Sequence, residues 1–484
     1  MPSMKKIQQA LCALVACAVL FGGAACVQNS ETGGTVASNA RPANSNAAPA
    51  ASPQVATNAA ASNAGQMPVT LAVLDALFAE ASFAGELKTR LGLTDEQLER
   101  LKAAAREERE GLAESEGDAE HAGTTSEASA RATEKIRAAV GPEKAEQLMA
   151  FARERWSTGG EAGAGGAAAA GAVDAAASKP NAVPTDTRVV VNIPAYRMDA
   201  FEGGQLVKTY KVGIGYPEFP LPTGLRKASE IIFNPTWTPP DEPWVKGKFK
   251  PGEKVDAGSK DNPLGLIKIP IGSPSLIHGG KSPARLGTFA SHGCVGLTNP
   301  QVQDFATVLA KLGGAQITRE QVLTYAKVRE ETKNVKLSNN VPVELRYETI
   351  VVEDGKLHVY RDVYGHGTNT EENLRKTLEA YGVRLEDLSE PERAQVKQAL
   401  TEMARDALGK PATEAQPTPT PARKGAAASA RETKTMKGKK EIVVEIAALR
   451  GKGYPAPANF DAGTGAPPKS APQKAAQTSA KPQA

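Results

Sequence analysis

The sequence predicts a multidomain protein in which a mostly-β central domain lies between an N-terminal helical segment and a C-terminal α+β extension, with disordered linkers between the parts. Apolar and polar residues alternate in short runs between residues 187 and 330, as is typical of β-strands, whereas residues 67–156 repeat apolar residues at helical spacing. Stretches rich in Ala, Gly and Pro separate these parts and cannot bury a core. A chain of 484 residues has room for about three such domains.

The first 25 residues predict an export signal. Two lysines precede the apolar stretch Leu11–Phe21, which is too short to span a membrane. Small residues then lead to Cys26, and this boundary resembles that of a lipoprotein signal peptide with Cys26 as the lipidated residue. Ordinary cleavage near Ala25 is an alternative, and Cys17 is a second candidate site. We therefore expect an exported, periplasmic protein that is lipid-anchored to a membrane.

The segment 67–156 predicts a helical domain between two linkers. Residues 26–66 form an Ala/Asn/Ser/Pro tether, and residues 157–184 form a Gly/Ala linker. One short run in the domain resembles the motif of small periplasmic helical proteins related to the Spy chaperone, and a spacer or docking bundle is the predicted role. The helix signals are Leu71, Leu74, Phe78, Ala81, the capping box Thr94-Asp95-Glu96-Gln97 and the break at Gly141-Pro142.

Strands are predicted in the central domain and in the extension that follows it at residues 331–410. The central strands are Val189–Ile193, Gln205–Val212 and Ile267–Ile271. In the extension, Val341–Tyr347 and Lys356–Arg361 predict a hairpin that turns at Asp354-Gly355.

Two helices and a tail complete the predicted organisation. The helices are expected at Thr370–Tyr381, ended by Gly382, and at Pro391–Leu408. Residues 411–484 are expected to form a basic, mostly disordered tail with one strand-like stretch at Glu441–Ile446.

Cys294 is the only cysteine beyond residue 26, so a disulfide within its own domain is excluded and either chemistry or burial must explain it. His278 lies 16 residues upstream and could take the thiol proton to leave a strong nucleophile. His292 is only two residues away and would point elsewhere in an extended segment. Gly293 allows a sharp turn and exposes N–H groups that could hold an oxyanion. The alternative is a small buried cysteine with two structural histidines.

The residues around this pair resemble a known family. The order Ile277-His278-Gly279, then Ser291-His292-Gly293-Cys294-Val295 and Asn299, resembles the signature of the L,D-transpeptidase catalytic domain, also called YkuD-like. The resemblance covers Thr187 to Leu312 and continues weakly from Val341 to Tyr364 as a hairpin. It implies a mostly-β, β-sandwich-like catalytic domain at residues 187–330. Further matches in the same order are Arg188–Pro194, Leu206–Gly213, Pro222–Gly224, Asn234–Pro240 and Asp261–Gly265.

The resemblance also implies a role for each residue of the motif. Cys294 is the nucleophile, and His278 is the general base and later the acid. The Gly279 carbonyl orients the imidazole, and Ser291 braces the loop. The N–H groups near His292, Gly293 and Cys294 form an oxyanion hole.

The implied substrate is a peptidoglycan tetrapeptide stem. The cysteine attacks the carbonyl of the third residue, a diamino acid, the terminal D-alanine leaves, and a thioester remains. An amine of a second stem then gives a 3→3 cross-link, whereas water gives L,D-carboxypeptidase activity. A D-amino acid or a wall lipoprotein is also an open choice of acceptor.

One position departs from the family pattern. The family carries an arginine two residues after the cysteine, and this chain has Gly296. Arg285 is a candidate to replace that charge, or else it is a solvated surface residue. Gly296→Arg would therefore raise activity, unless a positive φ at this glycine makes arginine strained.

Composition and the remaining motifs exclude several other functions. The 58 basic and 54 acidic residues give a net charge of only +4, and no nucleic-acid motif is present. A papain-like peptidase places cysteine before histidine, the reverse of the order found here. No cofactor and no metal are expected, because His121, His358 and His366 lack ligand spacing. The expected partners are peptidoglycan stem peptides and a membrane, and an inactive wall-binding scaffold lipoprotein is the competing function.

Overall fold

The computed structural model describes residues 67–112, 124–159, 179–239, 252–257, 259–329, 331–407, 409 and 438–464. All of them belong to one compact unit, residues 58–484. The predicted signal peptide, the tether with Cys26, and most of the Gly/Ala linker lie outside the described residues. The same is true of His121 and of the tail on both sides of residues 438–464.

The N-terminal part is a bundle of helices around its own apolar core, which includes Leu74, Leu77, Phe83 and Trp156. The predicted capping box is present, because Thr94 Oγ1 accepts a hydrogen bond from the Gln97 N–H at 3.2 Å and Gln97 Oε1 accepts one from the Thr94 N–H at 3.1 Å. The helices are α1 (Leu71–Phe78), α2 (Ala81–Leu91), α3 (Asp95–Leu112), α4 (Thr125–Val140) and α5 (Pro142–Thr158).

The central part is an eight-stranded curled sheet with the strand order β3-β2-β1-β10-β5-β6-β7-β9. Its pairs are antiparallel except for β1–β10 and β7–β9, which are parallel. The strands are β1 (Arg188–Asn192), β2 (Arg197–Glu202), β3 (Gln205–Lys211), β5 (Gly224–Phe233), β6 (Ile267–Pro270), β7 (Leu276–His278), β9 (Val295–Gly296) and β10 (Lys333–Arg346). A separate parallel pair consists of β4 (Ile214–Gly215) and β8 (Phe289–Ser291).

Two helices cover the sheet and complete its core. Helix α6 (Asn299–Leu312) begins directly after β9 with a capping box between Thr298 and Gln301, and α7 (Arg319–Lys327) follows it. Phe305 and Leu309 of α6 are fully buried among the valines and isoleucines of the sheet. The helix therefore fixes the position of the strand end that precedes it.

The extension forms a second, smaller layer of β-strands and helices with its own core. Strands β11 (Ile350–Glu353), β12 (Lys356–Tyr360) and β13 (Glu441–Glu445) make an antiparallel sheet, and α8 (Glu371–Glu379) and α9 (Glu390–Met403) pack against it. The strand β13 confirms the strand-like stretch predicted in the tail.

The predicted hairpin has the right turn but the wrong first strand. Asp354 and Gly355 both have positive φ and connect β11 to β12, as their residue types indicate. The residues Val341–Tyr347 belong almost entirely to β10, which pairs with β1 and β5 in the main sheet. Residues 341–347 and strand β11 are both apolar and β-prone. Local pattern alone could therefore not tell which of them pairs with β12.

The fold-class prediction is confirmed: the mostly-β L,D-transpeptidase-like domain, the N-terminal helical segment and the α+β extension are all present. Within the described parts of the chain, no helix is both long enough and apolar enough to cross a membrane.

Candidate active site

The parallel pair of β7 and β9 brings the predicted histidine and cysteine together. Ile277 is paired with Val295, and His278 is paired with Gly296. Paired residues point to the same face of a sheet, and side chains alternate along a strand. Cys294 lies directly before Val295, so this pairing places it beside Leu276, two residues before His278 in β7.

His278 is buried, with 3% of its surface exposed, and its Nδ1 lies 2.8 Å from the Gly279 carbonyl oxygen. A carbonyl oxygen only accepts hydrogen bonds, so Nδ1 carries the proton and Nε2 keeps its lone pair. Burial, together with the charge of Lys281, lowers the pKa of His278 to about 3. The imidazole is therefore neutral at pH 7.

Asn299 holds the turn that follows His278. Its Oδ1 accepts hydrogen bonds from the N–H of Gly280 at 3.0 Å and of Leu266 at 3.1 Å. A Cβ on Gly279 would lie 2.7 Å from this oxygen, so only glycine fits beside it. Asn299 was part of the sequence signature, but the sequence assigned it no role. Its first position in α6, directly after β9, is the signal that could have found it.

Ser291 closes the turn that carries Cys294. Its hydroxyl donates to the Cys294 carbonyl and accepts from the Cys294 N–H at 3.0 Å. Gly293 has a φ of 85°, which L side chains rarely adopt. The Cys294 N–H is thus already engaged, and the oxyanion-hole prediction is confined to the N–H groups of His292 and Gly293.

The Cys294 thiol is free and partly exposed, although protein atoms crowd most of its sulfur. This crowding raises the pKa of the thiol, while the Leu276 N–H and the charges of Lys281 and Arg226 act in the opposite direction. The raised pKa means that the resting thiol holds its proton at pH 7.

We call the turn of residues 291–294 the nucleophile turn. A loop of residues 215–221, which we call the lining loop, lies beside it. The His292 ring packs edge-on against Phe219 at 4.6 Å and Tyr216 at 5.1 Å between ring centroids. The Tyr216 N–H donates to the Ser291 carbonyl at 2.8 Å. Sequence reasoning missed both aromatic residues, because they lie more than 70 positions before His292 and no local pattern marks them.

The structure excludes the backbone strain that the sequence allowed at Gly296 and replaces it with a steric contact. This glycine does not have a positive φ, so the explanation from backbone strain is wrong. A Cβ at this position would instead lie 2.9 Å from Lys281 Cγ, because the lysine side chain runs across the glycine.

Arg285 was the residue that the sequence offered as a replacement for the arginine absent at position 296. Its side chain is instead bonded to other parts of the domain. Its guanidinium donates to the Tyr216 hydroxyl at 3.1 Å and to the Phe289 carbonyl. Arg285 therefore supports the lining loop and β8.

No group of three or more His, Cys, Asp or Glu side chains in the described ranges is close enough to hold a metal ion. His358 contacts Glu441 in the extension, and His366 stacks on Tyr347 with 4.0 Å between ring centroids. Neither histidine takes part in the site.

The chain is similar to known proteins over this same region. A protein of Haemophilus influenzae named as an L,D-transpeptidase is 25% identical over 221 residues, which cover 37% of this chain and 44% of the relative. ErfK/SrfK of Escherichia coli, also named as an L,D-transpeptidase, is 31% identical over 124 residues, which cover 24% of this chain and 38% of the relative. The chain thus spans less than half the length of these curated relatives.

Among solved structures, the catalytic domain from an E. faecium L,D-transpeptidase aligns with 34% of this chain and 100% of that chain, at 16% identity and a TM-score of 0.21. The family assignment comes from sequence: residues 186–328 match the model of the YkuD family, described as the L,D-transpeptidase catalytic domain. Residues 186–328 of this chain are therefore a YkuD-type L,D-transpeptidase catalytic domain.

Proposed function

We propose that the protein is a peptidoglycan L,D-transpeptidase that uses Cys294 as its nucleophile and His278 as its general base and acid. The observation that carries this proposal is the geometry of the β7–β9 pair. A partly exposed thiol lies directly before β9, and a neutral imidazole whose Nδ1 is bonded to the Gly279 carbonyl lies at the end of the paired strand β7. The names of the relatives support the reaction class.

In the first half-reaction, the sulfur attacks the carbonyl of the third residue of a tetrapeptide donor stem, while His278 Nε2 takes the thiol proton. The N–H groups of His292 and Gly293 stabilise the negative oxygen that forms. His278 then returns the proton to the nitrogen of the terminal D-alanine. The C–N bond breaks, D-alanine leaves, and a thioester remains.

In the second half-reaction, an amine of an acceptor attacks the thioester. His278 accepts a proton from that amine, and the sulfur leaves and regains its proton. The product is a 3→3 cross-link when the acceptor is a second stem, and a tripeptide when water takes its place. L,D-carboxypeptidase activity is thus the same chemistry with another acceptor.

The charges at the site indicate when the proton moves. Burial raises the pKa of Cys294 and lowers the pKa of His278 to about 3, so thiol and imidazole are both neutral at rest. A stable thiolate–imidazolium pair before substrate binding is disfavoured. The proton therefore transfers as the donor carbonyl is attacked, which protects the thiol from oxidation between turnovers.

The test is to incubate the full-length protein with purified tetrapeptide muropeptides and to identify the products by mass. A 3→3 dimer supports transpeptidation, and a tripeptide supports carboxypeptidation. Cys294→Ala should abolish both while it keeps the fold, because the nucleophile contributes the covalent step and little packing. D-Alanine release by Cys294→Ala would disprove the mechanism, and no product from the wild type would favour a scaffold role.

We also propose that Cys26 anchors the protein to a membrane on the periplasmic side, so that the tether of residues 26–66 lets the domain reach the wall. This proposal depends on the sequence alone, since Cys26 lies outside the described residues. Cys26→Ser should move the protein from the membrane fraction to the soluble fraction. If wild type and variant were found in the same fraction, the proposed lipidation of Cys26 would be wrong.

A further inference from the structure

The side chain of Lys281 runs along the surface of β9 at the position of Gly296. The Lys281 N–H donates to the Leu297 carbonyl at 3.0 Å, which places its backbone one residue beyond Gly296. A Cβ built on Gly296 would lie 2.9 Å from Lys281 Cγ, 3.4 Å from Cδ and 3.1 Å from Cε. The stem thus starts at Leu297 and crosses Gly296, toward the end of β9 where Cys294 lies.

The glycine is what makes this path available. Any side chain at position 296 would occupy the space that Cγ and Cε of Lys281 fill. Gly296 and Lys281 therefore depend on each other: the glycine leaves the space that the lysine side chain fills. This arrangement allows a positive charge to reach the nucleophile from the His278 side of the strand pair.

The Lys281 ammonium has no carboxylate partner among the residues that the structure describes. Burial lowers its pKa to about 8, and the neighbouring charge of Arg285 acts in the same direction, whereas a negative charge on Cys294 would raise it. A half-buried ammonium without an anion is costly, and an anion beside it is correspondingly stabilised. The sulfur of Cys294 is the group on which this charge acts.

We propose that Lys281 supplies the positive charge that stabilises the Cys294 thiolate, in place of the arginine that is absent at position 296. The charge contributes when the sulfur becomes anionic, as the thioester is formed and when it is resolved. The inference goes beyond the proposed function because it names how this chain supports its nucleophile. It depends on that function only for the identity of the acyl donor.

Three other charged or titratable groups surround the same sulfur or its lysine, and they behave differently. Arg226 also acts on the thiol, but its guanidinium is bonded to the carbonyls of Gly272 and Trp156. Burial lowers the pKa of Arg226 to about 10, so it stays charged between pH 6 and 9. His278 stays neutral in this range, and Arg285 is bonded to the lining loop. Lys281 is thus the cation whose removal tests the proposal.

The experiment measures the rate of iodoacetamide labelling at Cys294 from pH 6 to 9 in the full-length protein, with the Cys294 peptide quantified by mass spectrometry. Iodoacetamide is neutral, so its approach does not depend on the lysine. Lys281→Met keeps the stem and removes the charge. We expect the rate to fall roughly three- to tenfold below pH 8, where the lysine is charged, and the difference from the wild type to shrink as the pH rises toward 9. Lys281→Arg should restore the wild-type rate below pH 8.

Two further variants test whether positions 281 and 296 are interchangeable. Gly296→Arg alone should lower the rate, because the new side chain collides with the lysine stem. Lys281→Ala combined with Gly296→Arg should recover at least half of the loss that Lys281→Ala causes. Lys336→Met, which removes an exposed lysine on β10, is the matched control and should label like the wild type.

The outcomes separate this inference from the proposed function, since labelling needs no peptide substrate. An unchanged rate below pH 8 in Lys281→Met would overturn the role of Lys281 even if the protein cross-links stems. A rate that is lower only below pH 8, without any muropeptide product, would keep the role of Lys281 and reject the transpeptidase proposal. A rate that falls equally at every pH would indicate loosened packing and would also count against the charge. If Lys281→Met does not fold, Lys281→Gln is measured in its place.

Discussion

The two walls of the site are built in different ways. The wall that carries Cys294 and His278 is held by short-range contacts, such as the bonds between Ser291 and Cys294 across three residues. The second wall is the lining loop beside it, which is held by residues far away in the chain. Thr70 donates to the Glu218 carbonyl across 148 residues, and Tyr364 donates to the Gly215 carbonyl across 149 residues.

This difference shows which parts of the molecule support bond making and which support binding of the donor stem. The reacting groups need only the two strand ends β7 and β9 and the turns beside them. The lining loop needs the helical bundle, through Thr70 at the start of α1, and the extension, through Tyr364. We infer that damage to the first wall affects bond making, whereas damage to the second affects how the donor stem is held.

The largest expected effect tests the first wall. His278→Gln and His278→Ala should lower the rate of D-alanine release by at least about 100-fold, because a positioned general base typically contributes this much. Binding of the donor should change little. His358→Gln, a histidine in the extension that contacts Glu441, is the control. Release by His278→Gln within about threefold of the wild type would contradict the assignment of the base.

A second effect of His278 is a dependence of stability on pH. Its pKa is about 3 in the folded protein, by burial first and then by the charge of Lys281, against an ordinary value of 6.5. The unfolded chain therefore binds a proton below pH 6.5 that the folded chain refuses, and stability is lost as pH falls toward 3. The slope for one proton is at most about 1.4 kcal/mol per pH unit.

Hydrogen exchange of peptides from β7 and β9, measured between pH 5 and 7, checks this dependence after correction for the intrinsic rate. His278→Gln should remove the extra opening that the wild type shows as pH falls. His366, whose pKa burial also lowers, remains in both proteins and cancels in the difference. If protection against exchange changed equally with pH in the wild type and the variant, a lowered pKa of His278 in the folded protein would be contradicted.

The residues of the first wall are ones that the sequence motif itself names, for a physical reason. Cys294, His278, Gly279 and Ser291 belong to two short segments, and the contacts between them follow from strand pairing and a tight turn. Gly293 was expected to allow a sharp turn, and its φ of 85° agrees. The motif could not show which N–H groups are already hydrogen-bonded. The Cys294 N–H, for example, donates to the Ser291 hydroxyl.

The second wall could not be predicted because its contacts join distant segments. Nothing near Phe219 or Tyr364 in the sequence indicates that their side chains meet the nucleophile turn or the lining loop. The same limit explains the hairpin error, since β10 and β11 both suit β12 by local pattern. Lys281 was missed for a related reason. Arg285 is nearer to Gly296 along the chain, whereas strand pairing decides which side chain crosses the glycine.

The smallest expected effect tests the second wall. The Tyr364 hydroxyl donates to the Gly215 carbonyl at 2.9 Å and accepts from the Leu221 N–H at 3.2 Å, so it ties both ends of the lining loop. Tyr364→Phe removes both bonds without changing the ring, at a cost of about 1–3 kcal/mol in a buried setting. We expect the KM for the tetrapeptide to rise a few-fold while the rate of iodoacetamide labelling at Cys294 stays within about twofold.

Two variants complete this test of the comparison. Thr70→Val removes the contact from the helical bundle to Glu218 and should raise KM in the same direction but less, since only one bond to the loop is lost. Tyr381→Phe removes a hydroxyl bonded to Asn181, away from the loop, and should leave KM unchanged. A change in labelling rate without a change in KM for Tyr364→Phe would mean that the distant contacts position the nucleophile itself, and the division between the two walls would fail.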